Sequence, residues 1–344
     1  GTYTLEETTT PDGYLTVSRF EFTITDGMVE SINGTFTDGD AVIEEDGKTI
    51  TVRDAKEGEC TVYIHKYEVA GTKEIKDAVL KITDEAGETV EEWTTDGVNA
   101  KSIVLKQGTY TLTEITAPDG YLKAESITFE VDKNGNVKVT SETGELKDGK
   151  HIYMYDDYTK VEISKVYIVD EETTELIEGA ELAIYEAAKY EAANGDTTKL
   201  TAVREWTTEA GKPTMIEALP AGKYYLVENA APAGYLIADA VPFVVTITED
   251  ENGKQTTEVV KVTMEDKKSE ISINKTDLNG EVVDGAEFTL TGDDLGGVVI
   301  GTGKALEAGT KNVVFAGNQT ITGLKNGTYT LEETTTPDGY LTVS

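Results

Sequence analysis

Apolar and polar positions alternate with a period of two through most of the chain. The stretches FEFTIT, KTITVRD, TVYIHKYEV, SITFEVD, VEISKVYIV, VPFVVTIT, VVKVTM and EISINKTD are rich in Val, Ile, Thr, Tyr and Phe. Such residues suit a pleated, half-buried strand. Between them stand turns such as DKNGN, DENGK and DLNGE, whose Asp, Asn and Gly accept tight backbone geometry. One stretch breaks the alternation: YEAAKYEAAN, residues 185–194, is built from good helix formers and reads as a helical insertion in a loop. Short strands separated by turns predict an all-β chain of β-sandwich units, about one hundred residues each.

A repeated phrase sets the frame. GTYTLEETTTPDGYLTVS occupies residues 1–18 and again residues 327–344, and related copies begin at Gly108 (GTYTLTEITAPDGYL) and Gly222 (GKYYLVENAAPAGYL). Their shared core is Tyr-x-Leu-x-Glu, a strand, followed by Pro-x-Gly-Tyr, a turn. Copies stand roughly one domain length apart, so the chain is a series of small domains rather than a solenoid. The identity of the two ends predicts a slice from a tandem array with a period of 326 residues, in which Ser344 is followed by something close to RFEFTIT.

The same alternation assigns charged residues to the core face. Val62 and Ile64 share parity with Lys66, Val161 and Ile163 with Lys165, Ile271 and Ile273 with Lys275. Ile50 and Val52 share it with Asp54, Ile152 and Met154 with Asp156, Val262 and Met264 with Asp266. In the repeated phrase Tyr and Leu share it with Glu7, Glu114, Glu228 and Glu333. Side chains alternate faces along a strand, so all these charges are expected to point inward. One inward charge at a strand end reaches solvent along its own stem. A Lys, an Asp and a Glu recurring together are expected to meet, because unpaired buried charges cost several kcal/mol each.

Two chemistries fit such a triad. One is a buried salt-bridge cluster, which adds little net stability after desolvation. The other is condensation: in a dry core a neutral lysine amine attacks a protonated Asp side chain while Glu polarises the carbonyl and shuttles protons, and water leaves.

Composition narrows the field. Sixty-five acidic against thirty basic residues give a net charge of −35, which argues against nucleic acid and an anionic membrane surface as partners. No apolar run is long enough for a membrane helix. With one cysteine, Cys60, and two histidines, no intramolecular disulfide or zinc site is expected. A nucleophilic Cys60–His65 pair has no visible orienting group. The Asp/Asn/Gly turns resemble calcium loops but lack the acidic twelfth ligand, and read as hairpin turns. No metal or cofactor is expected. Trp93 and Trp206 hold equivalent repeat positions and read as core.

The lysine strands, the segments GAELAIYE (179–186) and GAEFTLTG (285–292), EWTT at 92–95 and 205–208, the Tyr-x-Leu-x-Glu…Pro-x-Gly-Tyr phrase and the MYD and MED endings resemble the CnaB-type (SpaA-like, prealbumin-like) domains of Gram-positive surface proteins and pilins. The resemblance covers essentially the whole chain. It implies tandem Ig-like/prealbumin-like β-sandwich domains arranged as a rod, in which a first-strand Lys is joined to a last-strand Asn or Asp by an isopeptide bond with help from an acidic residue. Carried over, the cross-links are Lys66–Asp156 with Glu114 and Lys165–Asp266 with Glu228. The implied boundaries are 1–56, the C-terminal part of a domain; 57–158 and 159–267, complete domains; and 268–344, the N-terminal part of another. Glu7 and Asp54 then lack a lysine, and Lys275 and Glu333 lack an aspartate. No sortase signal or Tyr-Pro-Lys-Asn motif is present, so the expected role is a non-enzymatic stalk region of an extracellular, cell-wall-associated adhesin or pilus-like protein. Its partners would be neighbouring repeats, with cell wall or host ligand reached through other domains. The alternatives are an adhesive module for a host protein or glycan, and a self-linking filament subunit joined through complementary half-domains.

Overall fold

A computed structural model describes residues 1–34, 36, 39–69, 71, 74–169 and 173–342. Val343 and Ser344, which end the second copy of the repeated phrase, lie outside the described residues. The chain divides into two compact units, one of residues 1–159, 217–221 and 246–258 and one of residues 160–216, 222–245 and 259–344.

In the first unit, β1 (Thr2–Leu5), β2 (Phe20–Thr25) and β3 (Met28–Asn33) form one sheet, and β4 (Gly39–Ile43) pairs with β5 (Ile50–Asp54). Two further sheets follow, built from β6 (Glu59–Glu68), β7 (Lys76–Asp84), β8 (Thr89–Asp96), β9 (Lys101–Lys106), β10 (Gly108–Thr116), β11 (Ile127–Val131), β12 (Val137–Val139), β13 (Glu145–Lys147) and β14 (His151–Asp156). Their strand orders are β13-β14-β6-β9 and β12-β11-β10-β7-β8. Strand β6 alternates strictly between buried and half-buried positions from Glu59 to Lys66. Val62, Ile64, Ile103, Leu105, Ile152 and Met154 from one sheet meet Leu80, Ile82, Leu112, Ile127 and Phe129 from the other in one core. Burying each such side chain is worth about 1.5–3 kcal/mol. Trp93 packs at the edge of this core.

The second unit repeats the plan. Its strands are β15 (Lys160–Ile168), β16 (Thr174–Leu176), β17 (Glu181–Glu186), β18 (Arg204–Thr207), β19 (Thr214–Glu217), β20 (Gly222–Ala230), β21 (Tyr235–Leu236) and β22 (Val241–Val245). The short hairpin β23 (Thr248–Glu249) and β24 (Gln255–Thr256) leaves it and belongs to the first unit, and β25 (Val260–Lys268) returns. The main sheets are β16-β15-β25-β21, with β19 also beside β15, and β18-β17-β20-β22. Leu182 pairs with Trp206 as Leu80 pairs with Trp93, so the two tryptophans do hold equivalent places. After β25 come β26 (Glu270–Ile273), β27 (Glu287–Thr291), β28 (Val299–Ile300), β29 (Asn312–Ala316), β30 (Gln319–Thr322) and β31 (Thr330–Thr335), in sheets β26-β30-β28 and β29-β27-β31.

The alanine-rich stretch forms one short helix, α1 (Ala187–Ala192). It does more than fill a loop. Strand β17 is buried at four successive positions, Leu182 to Tyr185, because Tyr190, Leu200 and Ala202 of the insertion cover Ala183 and Tyr185 on its outer face, together with Val227 of the neighbouring β20.

Three kinds of position bear on function. First, β6 and β14 are parallel neighbours, as are β15 and β25, with Lys66 beside Met154 and Lys165 beside Met264. Second, the turn acids serve their own hairpins. Asp132 Oδ1 accepts from the N–H groups of Asn134 and Asn136, each at 2.8 Å, and Asp250 Oδ1 accepts likewise from Asn252 and Lys254. Third, the inward reading is only partly realised at the chain's flanks: Glu333 is buried, while Glu7, Asp54 and Lys275 are half-buried. Tyr3 and Leu5 are 54% and 36% exposed, and Ile271 and Leu331 are 44% and 41% exposed. Among the described residues no lysine-bearing strand lies within residues 1–56 and no aspartate strand pairs with β26.

Candidate cross-link sites

The parallel register fixes the first site. Asp156 stands two residues beyond Met154, the neighbour of Lys66, so Lys and Asp share the inner face of adjacent strands. Glu114 projects from β10 of the facing sheet. The three residues are 1%, 0% and 0% exposed. Lys66 Nζ donates to Glu114 Oε2 at 3.0 Å and is in direct contact with Asp156 Oδ1. Lys165, Glu228 and Asp266 repeat the arrangement and are equally buried. Nζ lies 3.1 Å from Glu228 Oε1 and in direct contact with Asp266 Oδ1.

The flanking members are placed differently. Lys275 Nζ lies 3.0 Å from Glu333 Oε1, and the ion pair has no aspartate among the described residues. Glu7 and Asp54 are both half-buried, with no hydrogen bond or ion pair joining them. Glu7 Oε2 instead accepts from the backbone N–H of Val17 at 2.7 Å.

That contact exposes a feature that alternation does not reveal. Ala124 N–H donates to Glu114 Oε2, and Ala238 N–H to Glu228 Oε2, both at 2.7 Å. In all three copies the donor lies ten residues after the Glu, in the strap that follows Pro-x-Gly-Tyr. The fixed spacing was visible, but Val and Ala side chains carry no chemistry to draw attention to it.

Burial dominates the electrostatics. Desolvation pushes the Asp156 carboxyl up to about 8; the Lys66 ammonium opposes the shift, and the neighbouring Glu114 carboxylate adds to it. Desolvation likewise raises Asp266 to about 6, against the pull of Lys165 and with the push of Glu228. Asp156 Oδ2 and Glu114 Oε1 are both buried without a hydrogen-bond partner, and a proton on the aspartate lets the two side chains bond to each other. The site thus favours an uncharged Asp beside the lysine nitrogen.

The Cys60–His65 pairing is not formed. Cys60 is buried on the inner face of β6, whereas His65 lies on its outer face. His65 does have an orienting acid, contrary to the sequence reading: its Nδ1 is 2.8 Å from Glu74 Oε1, and its Nε2 is 2.9 Å from His151 Nδ1. Tyr153 stacks on His65 at 4.2 Å and Tyr63 on His151 at 4.6 Å. The outer face therefore carries an aromatic seam across the same β6–β14 pair that holds the first triad within.

Residues 60–145, 159–264 and 269–344 match the family of the SpaA prealbumin-like fold domain. The chain belongs to this family. Each SpaA-type match includes one lysine and one glutamate of the sites above, while Asp156 and Asp266 fall just beyond the matched segments. No curated protein matches the chain. Among solved structures it is similar to the Bacillus anthracis TIE protein, with 21% identity over 99% of this chain and 64% of that one, and a TM-score of 0.34. This SpaA-type chain thus spans less than two thirds of the TIE protein. It is also similar to the shaft pilin SpaA from Lactobacillus rhamnosus GG, with 13% identity, 62% and 98% coverage and a TM-score of 0.31. A Streptococcal ancillary pilin gives 15% identity, 83% and 93% coverage and a TM-score of 0.34.

Proposed function

We propose that this chain is a structural stalk region of a Gram-positive cell-surface adhesin or pilus-like protein, strengthened by intramolecular Lys66–Asp156 and Lys165–Asp266 isopeptide bonds. Residues 57–158 and 159–267 act as complete SpaA-type domains, and residues 1–56 and 268–344 as parts of others. The location is extracellular, at the cell wall. The partners are neighbouring repeats.

The observation that carries the reading is the pair of buried Lys–Glu–Asp clusters, each set by a parallel pairing of first and last strand. With Asp156 protonated, movement of the lysine proton to Glu114 leaves a neutral amine facing a neutral acid. The amine nitrogen attacks Asp156 Cγ. Glu114 returns a proton to the departing oxygen as the nitrogen gives one up, and one water leaves for each amide formed. Groups held in contact need no cofactor to reach the required effective concentration. The chemistry runs once and leaves no free active site.

Intact-mass spectrometry tests this directly. The chain is expected two waters below its sequence mass, with tryptic peptides joined at Lys66–Asp156 and Lys165–Asp266. An unmodified mass would leave only a buried ion-pair cluster.

One observation favours a second reading, the self-linking subunit: Lys275 already meets Glu333, while Asp54 has no ion-pair partner among the described residues. Capture of Asp54 from another copy would join chains head to tail.

A further inference from the structure

We infer that Gln255, on the β23–β24 hairpin, is a positioning residue for Glu114 and sets the rate of condensation at Lys66 and Asp156; this rests on the cross-link reading above. The hairpin follows β22 in sequence but lies in the compact unit formed by residues 1–159, 217–221 and 246–258. There it meets the strap Lys123–Glu125.

The strap alternates. Ala124 turns its N–H inward to Glu114 Oε2, the same oxygen that accepts from Lys66. The residues on either side are held by the hairpin. Lys123 N–H donates to Gln255 Oε1 at 2.8 Å, and Glu125 pairs with Lys254 at 2.6 Å. Gln255 is itself oriented: its Nε2 donates to Glu249 Oε2 at 3.2 Å, across the hairpin pair Glu249–Gln255, which leaves Oε1 directed at the strap. Asp250 closes the turn with two backbone bonds. The chain of contacts runs Glu249, Gln255, Lys123, Ala124, Glu114, Lys66.

The geometry matters because a proton shuttle works only within hydrogen-bond reach of the groups it serves. Outside the triad Glu114 is anchored by the Ala124 amide, and that amide is only as steady as its strap. The surface ion pair Lys254–Glu125 is solvent-exposed and adds little. At the second site, among the described residues, no side chain accepts from the N–H of Ile237, which corresponds to Lys123 and is 63% exposed. The two otherwise equivalent sites therefore differ in how their glutamates are held. Cross-linking at residues 66 and 156 waits on a hairpin that emerges about one hundred residues later in the sequence.

The test follows both bonds during refolding of the full chain from a freshly synthesised, unreacted pool, by timed quenching and peptide mass mapping. Gln255→Met keeps the bulk but loses the acceptor. It is expected to slow the Lys66–Asp156 bond by roughly three- to tenfold, the worth of one hydrogen bond, and to leave the Lys165–Asp266 bond at its parental rate. E249Q/Q255E exchanges donor and acceptor across the hairpin and should restore the rate, whereas Q255E alone, equal in shape but repelled by Glu249, should stay slow; a purely packing role would leave both at the parental rate. Equal slowing of both bonds, or parental rates in Gln255→Met, would overturn the inference. Absence of either bond in the parent chain would instead overturn the cross-link reading itself.

Discussion

A lysine ammonium in a dry core is held by the oxygens it touches. Lys66 and Lys165 each touch one Asp and one Glu, and in each site burial raises the aspartate carboxyl well above its ordinary value. Condensation needs that aspartate protonated, so each raised value sets the upper pH limit of its own site. The Lys66–Asp156 rate should be sustained as pH rises and fall off through about 8, whereas the Lys165–Asp266 rate should fall off earlier, through about 6. Refolding unreacted chain across this range, with peptide mapping of each bond, checks the order. A reversed order would contradict it. Removing the shuttle is sharper still. Glu114→Ala and Glu228→Ala should each restore one water to the intact mass while leaving the other bond formed. The residues of both triads were legible in the sequence, since parity alone marks Lys, Asp and Glu as inward. The Ala124 and Ala238 amides were not, because a backbone donor carries no signature in its side chain.

Strand elements were equally legible, and neighbours were less so. Alternation says which face a side chain takes and nothing about which strand lies beside it. The parallel pairing of β6 with β14 needed the structure, as did the second layer under α1, where an apparent loop insertion covers Ala183 and Tyr185. The Pro-x-Gly-Tyr element was recognised as a turn, but its glycine has a further task. Gly120 has a φ of 86°, and a Cβ there would sit 2.3 Å from the carbonyl oxygen of Ala218. Backbone, unlike a flexible side chain, does not give way. Gly120→Ala should therefore cost roughly 1–3 kcal/mol. Urea unfolding of the Glu114→Ala/Glu228→Ala chain is the proper measurement, since a cross-linked chain has a restricted unfolded state. An unchanged midpoint would mean the turn relaxes freely.

At the scale of the whole chain the proposed cross-links would change what unfolding can be. Lys66 and Asp156 are 90 residues apart, and Lys165 and Asp266 are 101 apart. Closing loops of this size stabilises by about 4–5 kcal/mol in a chain-entropy account. Under tension the effect is larger, because a bridged loop cannot extend at all. Single-molecule pulling should show no extension from either repeat in the parent. Glu114→Ala should release about 300 Å from the first, at about 3.5 Å per residue. If chains also join head to tail, a denaturing gel should show a ladder that Lys275→Ala abolishes; a tandem repeat without intermolecular capture gives a single band.

The direction of the strands adds one more consequence. Because β6 and β14 run parallel, a pull on the start of β6 and the end of β14 slides one strand along the other. All the hydrogen bonds between them are then strained together in shear, instead of opening one at a time as a zipper would. Mechanical resistance of this kind needs no covalent bond; the proposed Lys66–Asp156 link would lock the same two strands in register.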